Sequence, residues 1–153
     1  MKIKGLISED FVNYKKPAMT IMFPRCTFKC GEGYCQNSPL VKAENIELDV
    51  SDIVARYLNN PITESVVMQG LEPFDSWNDL INFIDCLRKL SDDDIVIYTG
   101  YNREEISDKI SILTRYENII VKFGRYIPHQ EKHYDEILGV YLASDNQFAE
   151  KIS

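Results

Sequence analysis

Short apolar, β-branched runs recur along this chain, and most are spaced widely enough for a helix to fit between them. They are AMTIMF (18–23), SVVMQ (65–69), DIVIYT (94–99), NIIVKF (118–123) and LGVYLA (138–143). Each has the length and the apolar continuity of a buried strand. Between the first four lie segments with helical spacing. In LDVSDIVARYLNN, residues Ile53, Val54, Tyr57 and Leu58 share a face, and Ser51 stands in the N-cap position. SWNDLINFIDCLRKL places Trp77, Leu80, Ile84 and Leu87 on one stripe, with Ser76 and Asp79 at capping-box spacing. NREEISDKISILTRY reads as a third helix, with Glu104 and Glu105 where a helix N-terminus favours negative charge. Strands alternating with helices imply parallel βαβ units with right-handed crossovers, hence an α/β fold. The 153 residues contain no repeat, low-complexity tract or linker, so residues 1–153 are expected to form a single domain.

Parallel α/β sheets bind ligands beyond the carboxyl ends of their strands. The unusual residues of this chain follow its strands: a thiol cluster after the first, GLEP after the second, TGY after the third, FGRY after the fourth and SDNQ after the fifth. Five loops from distant parts of the sequence are thereby predicted to meet on one rim.

The first of these loops, CTFKCGEGYCQN, holds three of the four cysteines, Cys26, Cys30 and Cys35. With 24 acidic against 17 basic residues the net charge is -7, which excludes a sequence-independent grip on nucleic acid. No apolar run reaches signal-peptide or membrane-span length, so the expectation is a cytoplasmic protein with neither a nucleic-acid nor a membrane partner. Cytoplasmic thiols stay reduced, and clustered ones serve metal binding or redox chemistry. Three thiolates suit a 4Fe-4S cluster with one iron open to a ligand. Zinc is the alternative, although its structural sites usually contain a C-x2-C knuckle, and the spacing here is C-x3-C-x4-C. His129 and His133 are spaced for a metal on a helix but lack a third ligand, and they read as a solvated face. Cys86, at the margin of the second helix's stripe beside Phe83 and Leu90, reads as core.

These residues resemble a known family. DFVNYKK, CTFKCGEGYCQN, GLEP, IYTGYNREEI and LASDNQ, spread over nearly the whole length, are similar to the radical S-adenosylmethionine (SAM) proteins. Among these, the closest likeness is to the activating proteins of anaerobic, class III ribonucleotide reductase. The resemblance implies a partial, open parallel (βα) barrel of radical SAM type. It implies that Cys26, Cys30 and Cys35 bind a 4Fe-4S cluster and carry the catalysis, with the unique iron chelating SAM. It places further cofactor-binding positions at Tyr34, Asn37, Gly70, Glu72, Thr99, Gly100 and Asn146, with Tyr34 near adenine and the Gly70–Pro73 segment near the methionine amino group. An electron from a donor such as flavodoxin or ferredoxin would reduce the cluster, and the resulting 5′-deoxyadenosyl radical would take hydrogen from a glycine of a partner glycyl-radical enzyme. Four departures stand out: the second cysteine gap is longer than the usual C-x3-C-x2-C, Leu71 replaces a glycine, NYKKPAM replaces a glycine-rich stretch, and 153 residues suffice for only part of a barrel.

Two other readings accompany this one: a radical SAM protein acting on another peptide or metabolite, and a zinc-stapled interaction module without catalysis. Lys122 and Arg125 are candidates for holding the SAM carboxylate or a partner's acidic surface, or are solvated charge at a strand end. Asn146 and Gln147 either bond SAM or make a turn.

Overall fold

The computed structural model describes residues 1–27 and 37–153. In chain order the elements are β1 (Lys2–Ile3), β2 (Gly5–Asp10), β3 (Ala18–Phe23), α1 (Ser38–Lys42), β4 (Ile46–Glu47), α2 (Val50–Leu58), β5 (Ser65–Gly70), α3 (Trp77–Arg88), β6 (Asp94–Tyr98), α4 (Ser107–Leu113), β7 (Ile119–Phe123), β8 (His133–Asp135), β9 (Val140–Leu142) and β10 (Phe148–Lys151). Short 3-10 turns, Pro73–Ser76 and Arg103–Ile106, lead into α3 and α4.

Six strands form one mixed sheet in the order β10-β7-β6-β5-β3-β2. β3, β5, β6 and β7 are parallel, and β2 and β10 flank them antiparallel. Parallel neighbours that follow one another in the chain, joined by crossovers of one hand, put all their helices on the same side. Accordingly Ile21, Val66, Ile97 and Val121 point into one core with Ile53 and Val54 of α2, Leu80 and Ile84 of α3, and Ile110 and Leu113 of α4. The residues between them along the strands, Ala18, Val67, Val96 and Ile120, face the other way. They pack under Tyr14 and under Leu138 and Leu142 of the β8–β9 segment. That covering layer spans only part of the face, and Thr20, Gln69 and Lys122 complete its polar remainder. Among the described residues the sheet does not close on itself into a barrel, and no helix is long and apolar enough to cross a membrane.

Four of the five predicted strands and all three predicted helices stand where the sequence puts them. The fifth run differs. Residues 140–142 pair with β8 in a separate two-stranded sheet laid on the inner face, and β10, antiparallel, takes the edge beside β7. The residues between β7 and that run form no helix but the short strand β8 and turns, so no parallel crossover is made there. Helix starts differ too. Asp49, not Ser51, caps α2, its carbonyl accepting from Asp52 and Ile53 N–H at 3.1 and 3.2 Å. Ser76 does cap α3, but no box forms: its hydroxyl is buried without a partner, and Asp79 accepts instead from Lys2 N–H at 3.3 Å. Glu105 behaves as expected of a first-turn acid, accepting from Asn102 N–H at 2.7 Å.

Gly70, the last residue of β5, has φ +99°, and a Cβ there would lie 2.7 Å from Phe23 N and 2.8 Å from Met22 Cα. Backbone cannot yield as a side-chain tip can. Gly70→Ala is therefore expected to lower stability by about 1–3 kcal/mol, read as a reduced urea midpoint with an unchanged slope.

Candidate functional site

A cleft of about 480 Å³ opens at the carboxyl ends of the parallel strands, on the inner face of the sheet. Cys26 and Asn37 line it from the loop after β3; Gly70, Leu71 and Glu72 from the loop after β5; Thr99 and Gly100 after β6; Gly124, Arg125 and Tyr126 after β7. Ala143 and Gln147 complete the rim. All five predicted loops do meet, the fifth because β10 runs back from the rim and so its start lies beside the end of β7.

Glu72 joins two of these loops. Fully buried, it accepts from Thr99 Oγ1 at 2.8 Å and Phe74 N–H at 3.1 Å through one oxygen, and from Gly100 N–H at 2.8 Å through the other. Burial pushes its carboxyl up to about 7 in spite of these bonds, which favour the ionised form. Thr99 and Gly100 thus serve the loop architecture while still facing the cleft. Gly70 does the same: its missing side chain makes room for the neighbouring strand, and its carbonyl accepts from the Asn37 amide.

Lys122 corrects the reading as solvated charge. It projects from β7 onto the inner face, only 7% exposed, donates to the Gly124 carbonyl at 3.0 Å and lies 5.8 Å from the Tyr98 ring centre. Burial pulls its ammonium down to about 8, with the charge of Glu72 acting the other way. Arg125 sits at the rim, paired with Glu105 at 3.2 Å. Asn146 makes a turn: its amide donates to the Arg125 carbonyl at 2.8 Å and accepts from the Ser144 hydroxyl at 2.7 Å, leaving Gln147 to line the cleft.

Asp75 was not singled out by sequence. Its carboxylate accepts from Thr27 N–H and Oγ1 at 2.8 and 3.0 Å and from Tyr101 Oη at 2.7 Å. It therefore fixes the residue next to Cys26 against the loops after β5 and β6. The available signal was an acid two residues past GLEP, in GLEPFD. Cys30, Cys35 and Tyr34 lie outside the described residues. His129 and His133 do not share a helix: the first has φ +65° and the second begins β8. Cys86 packs against the main core, and among the described residues no three His, Cys, Asp or Glu side chains gather to hold a metal.

Residues 18–147 match the family model for a 4Fe-4S single cluster domain. The chain belongs to that family. No curated protein and no solved structure matches it. A 4Fe-4S single cluster domain needs soft thiolate donors, and the arrangement fits one: Cys26 is exposed on the cleft at the head of the three-cysteine loop, and its neighbour is anchored. This family is found in radical SAM-type proteins.

Two outcomes follow for this cluster domain. Asp75→Ala removes three hydrogen bonds, so iron in the reconstituted variant should pass to a chelator several-fold faster than in the parent, with Asp75→Asn intermediate. Glu72 titrates higher in the folded chain than its ordinary value of 4.5. Its contribution to stability is then complete below about pH 4.5 and is lost as pH rises through about 7. Glu72→Gln should flatten that part of the pH profile in urea unfolding.

Proposed function

We propose that this chain is a radical SAM activase: it cleaves SAM reductively at a cluster held by Cys26, Cys30 and Cys35 and generates a glycyl radical on a partner enzyme, anaerobic ribonucleotide reductase by resemblance. The observation that carries this reading is the meeting of Cys26, GLEP and TGY around one cleft beyond the parallel strands. When bound, the cluster supplies the electron that breaks the S–C5′ bond of SAM, with methionine and 5′-deoxyadenosine as products once hydrogen has been taken from a glycine Cα.

The chain's own residues bind and position. Asp75 holds the start of the thiolate loop through Thr27. Gly70 brings backbone to the cleft, where its carbonyl takes the Asn37 amide and has a second lone pair suited to an amino group. Lys122 has donors to spare for a carboxylate, and its burial beside Tyr98 and the strand ends keeps bulk water from competing. No side chain is required as a general base. The partial, open (βα) barrel of radical SAM type is consistent with the helices lying on one side of an unclosed sheet.

The test is 5′-deoxyadenosine formation by anaerobically reconstituted protein given dithionite and SAM. Cys30→Ala should lose both cluster and product, and Cys86→Ala should keep both. Iron-loaded protein that makes no product even with its glycyl-radical partner present would overturn the activase reading, and a chain that takes up only zinc would favour a stapled module.

A further inference from the structure

The geometry points to the outer edge of β9 as a strand-addition site for an extended stretch of another polypeptide. Side chains alternate along a strand, so a strand that turns one face to a cavity lends it every second residue. Here four successive residues, Val140, Tyr141, Leu142 and Ala143, all line the cleft. Leu142 is buried in the inner-face cluster while Tyr141 is 71% exposed, so the two faces are otherwise engaged and the strand meets the cleft by its edge. β9 pairs with β8 alone, and among the described residues no strand lies on its other side.

The open stretch has definite ends. At one, Lys15 N–H donates to the Leu138 carbonyl at 2.8 Å; at the other, Gln147 Oε1 takes the N–H groups of Ala143 and Ser144 at 3.1 and 3.2 Å. Between them no lysine, proline or bulge guards the edge, the devices by which proteins usually keep such edges from pairing. Alternating main-chain donors and acceptors at strand spacing match an extended peptide backbone, which supplies the same row in reverse. Such a strand would lie about 4.8 Å from β9, between it and the wall formed by Cys26 and Gly70, with Val12, 76% exposed, beside it at the mouth. A glycine in that strand has no side chain to hold its Cα away from the cleft.

The identity of the peptide rests on the proposed function; the docking mode rests on the hairpin. The experiment uses the full reconstituted chain under anaerobic conditions with SAM. The probe is a fluorescent peptide spanning the radical glycine of class III ribonucleotide reductase, together with copies N-methylated at one backbone position each. Binding is read by anisotropy, amide protection by hydrogen exchange, and 5′-deoxyadenosine in parallel. The expected result is protection within residues 140–142 and a roughly tenfold loss of affinity at every second methylated position, as for one main-chain hydrogen bond. Absence of alternation, protection confined elsewhere, or protection of 140–142 by SAM alone with no addition from peptide would overturn the docking mode. No binding by protein that still forms 5′-deoxyadenosine overturns it too while leaving the radical SAM reading in place; loss of both binding and product removes both.

Discussion

A carboxylate with no exposure to water holds the rim together. Glu72 lies at the end of one parallel strand and takes its hydrogen bonds from the end of the next and from the turn that starts α3. Removing any of these donors would leave a buried acceptor short of partners, and removing the acceptor would strand three donors. The rest of the site is built outward from this knot. Tyr101 N–H reaches the Thr99 hydroxyl, Tyr101 Oη reaches Asp75, and Asp75 reaches Thr27 beside the first thiol. A chain of short polar contacts thus connects the buried floor to the cluster loop.

The two faces of the sheet divide the work. Helices cover one with continuous apolar packing, which supplies the core. The other carries an apolar half under the β8–β9 hairpin and a polar half at the strand ends. Lys122 stands at that boundary, on a strand otherwise made of buried apolar residues. A lysine is costly in such a place unless a ligand or a nearby charge repays its desolvation, and Glu72 is the nearby charge.

Much of this was legible in the sequence because period and punctuation agree. Runs such as SVVMQ and NIIVKF are separated by segments with clear helical stripes, and this alone fixes parallel crossovers and places the loops on one rim. The run at 138–143 misled because a short apolar strand looks the same in a main sheet as in a hairpin laid over it; only pairing distinguishes them. Asp75 and the particular turn bonds of Asn146, for which the sequence offered both a turn and a SAM contact, were not legible for another reason. Both depend on which loop lies opposite, and that is a property of the assembled rim. For Glu72, the sequence indicated the place and the structure adds its partners.

The sheet order β2-β3-β5-β6-β7-β10 is also the order of synthesis. No strand has to be inserted between two that are already paired, and each new one docks on an edge left open by its predecessor. Each strand pairs with the main-sheet strand made just before it, which favours rapid folding and limits the time that apolar strand edges spend uncovered. The hairpin that walls the cleft and β10 come last. During folding the chain can therefore complete its helix-covered core before the cleft acquires its final wall, so Cys26, just after β3, stands on a formed scaffold before the pocket beside it is finished.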